Sequence, residues 1–210
     1  MAGEGAVAPE TRSTKGAATR DQILNAAARL MHVQGYQSTS LDDVLRESGV
    51  GKGNFYYYFK SKEDLGYAII DRITQGFVER SLGPAFADAT ADPVTQIDAF
   101  LDRVLEAQRL RNCVGGCVMG NLASELSDVH EGFRQRLAGL FDLWRIRLAE
   151  VVARGQARGR LRADMDASCV AQFLVAGLEG AILLSKVNRD ITVMERCVEE
   201  LKRHLTLYGT

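Results

Sequence analysis

Five consecutive aromatic residues, Phe55-Tyr56-Tyr57-Tyr58-Phe59, stand between a glycine-rich turn and the pair Lys60-Ser61, and they restrict what this chain can build. A helix over Lys52–Tyr58 is about two turns long, and its single buried face accommodates two of the rings. Phe55 and Phe59, four residues apart, are the pair expected inside, held against Ile23, Ala27 and Leu45. The tyrosines are left for solvent or a partner. A ring that lies along a sugar-phosphate edge while its hydroxyl bonds a phosphate suits nucleic acid. The local charge agrees: residues 51–62 hold three lysines and no acid, whereas the whole chain has a formal net charge of -1. A broadly basic, histone-like protein is excluded, and nucleic-acid contact has to come from a local patch.

The flanking residues supply helix ends. Apolar residues at helical spacing (Ile23, Leu24, Ala27, Ala28, Leu30, Met31) predict a helix from Thr19 that stops at Gly35. Ser40, with Asp43 three residues on, caps a short helix ended by Gly49, and Ser61 with Asp64 caps a longer one marked by Leu65, Ile69, Ile73 and Phe77. Two short helices joined by the turn 47–53, whose glycines admit a positive φ, form a helix-turn-helix. An ordinary helical hairpin with a solvated lysine and tyrosine face is the alternative. Capping, turn glycines, exposed aromatics and acid-free charge in one segment argue against it.

Residues 1–18, rich in Gly, Ala, Ser, Thr and charge without an apolar period, read as a disordered arm. Beyond Gly83-Pro84 the chain continues as a helix opened by Asp92-Pro93 that carries Ile97, Leu101, Val104 and Leu105, and then as helices near 118–126, 133–154, 166–187 and 192–208, with no alternating strand pattern. The expectation is an all-α protein of about nine helices, with a DNA-binding domain at 19–65 and a ligand-binding and dimerisation domain at 66–210. No signal peptide is expected, and the longest apolar run, 167–185, is broken by Gln172 and Glu179, which favours a buried helix over a membrane span. Four cysteines in such a chain read as reduced thiols of a cytoplasmic protein, with no membrane partner. The absence of a phosphate loop, a His-Glu metal pattern, a nucleophile elbow or a dinucleotide turn argues against an enzyme. No cofactor or metal is expected.

Residues 19–66 resemble the DNA-binding domain of the tetracycline-repressor (TetR) family. The similarity is carried by Thr39-Ser40-Leu41-Asp42-Asp43-Val44 and by the unbroken string from Ser48 to Leu65. The resemblance implies a transcriptional regulator, a repressor released from operator DNA by a small molecule, with Lys52–Tyr58 as the recognition helix. It places Thr39, Ser40 and Lys62 on the DNA backbone. Lys52, Gly53, Tyr56, Tyr57 and Tyr58 complete the contact surface, and Asn54 is the candidate for reading a base edge. Further along, residues 113–126 and 177–186 are similar to the branch of the family with acrylate-responsive and N-ethylmaleimide-responsive repressors, in which a Gly-Cys pair opens a helix of the ligand domain.

Effector contacts are expected from Cys117, Asn121, Trp144 and Lys186, for an electrophile or an unsaturated acid. A thiol at a helix start, with Lys186 near, would favour the reactive thiolate; a buried small hydrophobe is the other reading of Cys117. Trp144, Phe133 and Phe141 line a cavity or belong to the core, and Asn121 with Glu125 faces a ligand or the surface. His32, His130 and His204 lie on separate helices and are expected to be surface or packing residues. A homodimer formed by the last two helices is expected, through Val170, Phe173, Leu174, Ala181 and Leu184 on one and Val198, Leu201 and Leu205 on the other, with Gly177 and Gly180 allowing close approach. Its symmetry implies a palindromic operator. The alternative is a helical enzyme acting on a small electrophile without binding DNA.

Overall fold

A computed structural model describes residues 10–210, with side chains from Gly16 onward. The described residues form α1 (Glu10–Gln34), α2 (Leu41–Ser48), α3 (Lys52–Tyr58), α4 (Lys62–Phe77), α5 (Gly83–Phe86), α6 (Pro93–Leu110), α7 (Val118–Leu126), α8 (Glu131–Ala157), α9 (Ala167–Asn188) and α10 (Ile191–Thr206), with a π-helical segment at Val78–Leu82. Nine of these α-helices have at least seven residues, the number expected. The β-structure among the described residues is one bridge, Leu161 with Gly209. Part of the expected arm lies outside the described residues. The remainder, from Glu10 to Ala18, is the start of α1, nine residues before the expected helix. Its alanines and charged straight-chain residues are good helix formers even without an apolar stripe.

The chain divides into two compact units at Ile69/Ile70, inside α4, four residues beyond the expected boundary. In the first, Ile23, Leu24, Ala27, Met31, Val44, Phe55, Phe59 and Leu65 are buried. The expected ends are in place. Gly35 has φ 88° and its N–H reaches the Met31 carbonyl at 3.1 Å. Ser40 and Asp43 form a reciprocal capping box at 3.0 Å each way, and Gly49 closes α2 at φ 66°. The Asp64 N–H donates to Ser61 at 3.0 Å. Gln22 on α1 donates to the Ser48 carbonyl at 2.6 Å, tying α1 to the end of α2.

In the second unit α8 supplies buried Phe133, Leu137, Leu140, Trp144, Leu148, Val151 and Val152, and α6, α7 and α9 pack against it. Gly83 closes the π-helical segment at a point where a Cβ would stand 2.9 Å from the Val78 carbonyl oxygen, so only glycine fits. Ala167–Asn188 is long and apolar enough to cross a membrane by length and composition alone, but Val170, Ala171, Leu174, Val175, Leu178, Ala181 and Ile182 are buried within the unit, as a core helix requires.

The expected dimer stripes need correction. Val170, Leu174, Ala181, Val198, Leu201 and Leu205 are consumed inside the chain, and Gly177 makes room for Leu201, which would stand 2.7 Å from its Cβ. The apolar face left to solvent is on α9: Phe173, Ala176, Gly180, Leu183, Leu184 and Val187, at three- and four-residue spacing, with nothing within 4 Å of a Cβ at Gly180. Seen along the sequence, the two apolar faces of such a helix cannot be told apart.

Candidate DNA-binding face and effector cleft

In the first unit the five aromatics divide as their spacing requires. Phe55 and Phe59 are 0% and 2% exposed, with ring centroids 5.7 Å apart, while Tyr57 is 80% exposed and Tyr56 49%. Tyr58 is half-buried and leans on α1, its hydroxyl 3.5 Å from where a Cβ on Gly16 would stand. Lys52, Gly53 and Asn54 are exposed on the first turn of α3. The α3 N-cap is Gly51, with no side chain bonding the first amides. Of the turn glycines only Gly49 has a positive φ; a Cβ at Gly51 or Gly53 would meet nothing within 4 Å, so nothing inside the chain demands glycine there. A surface that must come within van der Waals reach of a rigid partner is where such a residue is useful.

Two residues expected on the DNA backbone are otherwise engaged. Thr39 is fully buried, donates to the Gly35 carbonyl at 2.7 Å and accepts from Gln34 at 3.3 Å, so its hydroxyl fastens the α1–α2 connection. Its place beside an exposed helix start gave no sequence sign of that burial. Lys62 is half-buried: its ammonium lies over the Tyr36 ring at 4.4 Å and donates to the Gln37 carbonyl at 3.4 Å. Ser40 is exposed, with its hydroxyl in the capping box.

The second unit contains a cleft of about 300 Å³ between α7, α8 and α9. Three of the four expected effector residues line it: Cys117, Asn121 and Lys186. Trp144 does not. It is 1% exposed inside a cluster with Phe77, Phe100 and Phe141, and Phe141, stacked on it at 6.3 Å, is the ring that reaches the cleft. Phe133 is likewise core, and of the histidines His130 and His204 pack on aromatic rings.

Cys117 is the N-cap of α7, its sulfur accepting from the Gly120 N–H at 3.5 Å. The neighbour expected to activate it faces elsewhere. Lys186 donates to Asn121 Oδ1 at 3.0 Å, and Asn121 donates in turn to the Gly115 carbonyl at 2.7 Å. Beside the thiol stands the carboxyl of Glu179, and burial first, then this acid, push the Cys117 pKa well above its ordinary value. The thiol is therefore held protonated, against the reactive reading. Glu179 itself is raised by burial, and its Oε1 is buried without a hydrogen-bond partner. Its carboxyl fits against α7 because residue 120 is glycine, whose Cβ would stand 2.5 Å from Glu179 Oε2. Glu179 is the site residue the sequence reading passed over. The available signal was a lone acid in the most apolar helix, used only to argue against a membrane span.

Residues 23–69 match the model for bacterial regulatory proteins of the tetR family, and residues 93–201 match the tetracyclin repressor-like C-terminal domain. The chain belongs to the TetR family. It is 33% identical to the transcriptional regulator AcuR of Cereibacter sphaeroides over 79% of this chain and 75% of that one, and 26% identical to the transcriptional repressor NemR of Escherichia coli over 88% and 92%. The crystal structure of a TetR transcriptional regulator from Chloroflexus aurantiacus superposes with a TM-score of 0.84 at 31% identity, covering 93% of this chain and 98% of that one. This TetR-family chain is thus a DNA-binding transcriptional regulator, and the alternative of a helical enzyme finds no support among its relatives.

Proposed function

We propose that this TetR-family protein is a homodimeric cytoplasmic repressor that holds a palindromic operator through α3 and releases it when a small acid enters the cleft between α7, α8 and α9. The observation that carries the reading is the division of labour in α3: two phenylalanines anchor it while Lys52, Gly53, Asn54, Tyr56 and Tyr57 face outward without an acid among them. Lys52 and the tyrosines suit phosphate and sugar, Asn54 suits an adenine edge, and Gly51 and Gly53 keep the approach open. Lys62 and Ser40 flank this surface. The second copy covers the outward stripe of α9, and two-fold symmetry then sets half-sites about 34 to 36 Å apart.

The cleft favours a small acid over an electrophile. Lys186 offers a cation, Phe141, Ile182 and Leu183 offer apolar wall, and the thiol of Cys117 is held in its unreactive form. Release requires a ligand that prefers the non-binding form; a tenfold preference moves the equilibrium by about 1.4 kcal/mol. The covalent path from cleft to DNA runs through α4, which is continuous from Lys62 to Phe77 across the division between units. Footprinting on the DNA upstream of the protein's own gene tests the reading: a symmetric protected site that disappears on adding acrylate is expected, and an unprotected region with no shifted fragment would refute it.

A further inference from the structure

The cleft contains a half-buried acid that forms no ion pair. Glu179 lies two turns before Lys186 on the same helix, yet the Lys186 ammonium is bonded to Asn121 and no ion pair joins the two. The titratable and charged groups around the Glu179 carboxyl are Cys117 at the start of α7, whose thiol stands beside it, and Lys186 from α9; α8 contributes only Phe141. One carboxyl oxygen is thus in contact with α7, and the other, Oε1, is buried without a partner. An orphan polar atom in a ligand-sized cleft is a group whose partner arrives with the ligand.

We infer that the cleft binds a small carboxylate together with one proton, Glu179 in its acid form donating to the ligand while Lys186 supplies the opposite charge. The inference rests on the small-acid reading above and specifies how that site recognises its ligand. An ionised Glu179 would meet an incoming carboxylate as a second negative charge in a cleft with a single cation, and both would be partly withdrawn from water. A protonated Glu179 turns that repulsion into a hydrogen bond to a charged acceptor, among the stronger kinds. Burial already moves Glu179 towards the protonated form, so little has to change on binding. The balance is simple: where Glu179 is ionised in the free protein, one carboxylate and one proton enter together.

The test uses the full-length protein and two probes, propionate and its neutral isostere propanamide, neither of which alkylates a thiol. Calorimetric titrations between pH 5.5 and 8.5 should show propionate affinity falling about tenfold per pH unit above the Glu179 pKa, with about one proton taken up, read from buffers of different ionisation enthalpy. Propanamide should show no such slope. Glu179→Gln, which donates a hydrogen bond at every pH, should flatten the propionate profile, and Lys186→Met should weaken propionate throughout while keeping its slope. The proton count needs no variant, so a Glu179→Gln protein that fails to fold leaves the question decidable. Propionate binding without proton uptake, or with an unchanged slope in Glu179→Gln, overturns the proton linkage and leaves the small-acid site standing. Propanamide binding where propionate does not overturns the small-acid reading, and the proton linkage with it.

Discussion

Gly120→Ala separates the cleft from the scaffold around it. Glycine inside a helix costs about 0.8 to 1 kcal/mol relative to alanine, so the substitution in α7 begins with a gain of that size. Against it, the new Cβ would stand 2.5 Å from Glu179 Oε2 and 3.7 Å from Cys117 Cβ. The first contact is far too short to persist, but its other party is the end of a flexible side chain, which can swing away. Swinging takes the Glu179 side chain out of its packed rotamer, at about 0.5 to 1.5 kcal/mol. Gain and loss nearly cancel, and urea unfolding should place Gly120→Ala within about 1 kcal/mol of the parent. Ligand binding should not be spared, because the carboxyl that donates to it has been turned aside: propionate affinity at pH 5.5 should fall at least tenfold. Parental affinity would show that Glu179 does not touch the ligand. A loss of stability above about 2 kcal/mol would show that the α7 backbone yields instead of the side chain.

Leu184→Glu or Val187→Glu should give a monomer at micromolar concentration in sedimentation, since both side chains lie on the uncovered face of α9. Lys52→Ala should weaken all DNA sequences alike and lower the salt slope by about one unit, whereas Asn54→Ala should change operator preference by about 1 to 3 kcal/mol at one base pair. Thr39→Val, by contrast, should lower stability by about 1 to 2 kcal/mol, because it leaves the Gly35 carbonyl without its donor. The native state holds the Glu179 proton more tightly than the unfolded chain, so stability should decline as pH rises from about 4.3 through the raised folded pKa, and Glu179→Gln should remove that decline in pH-dependent melts. The carboxylate of Asp43 is lowered, chiefly by the Ser40 hydroxyl, so the α2 cap should persist above about pH 4 and weaken as pH falls through the lowered value, read from amide exchange of α2.

What could be read from the sequence follows a physical line. Helix ends are written locally: a serine with an acid three residues on, or a glycine in the left-handed region, acts within one turn, and Ser40, Ser61, Gly35 and Gly49 all perform as their types require. The split of the aromatic run was legible because a two-turn helix has only one inner face. Thr39 misled because its partner, the Gly35 carbonyl, belongs to the turn before α2 and not to any helix pattern. In the second unit the lack of contrast was the difficulty. α9 is apolar on both its core face and its outward face, with Gln172, Glu179 and Lys186 confined to a narrow stripe, so the two faces look alike in sequence, and Trp144 could have faced either a ligand or the core. Glu179 and Gly120 define the cleft as a pair across 59 positions of chain, a relation no local spacing carries.

Gly180 and Leu183 belong at once to the cleft wall and to the outward stripe of α9. A side chain with two duties is constrained twice: enlarging residue 183 to reshape the ligand space also reshapes the surface offered to a second copy, and a change that suits one task is tested by the other. The cleft walls on α7 and α8 carry no such double obligation at Ala123, Ser124 and Phe141. Descendants of this chain that come to answer a different small molecule should therefore record the change on α7 and α8, while α9 keeps its sequence, and a library selected for new effectors should recover substitutions in that same uneven distribution.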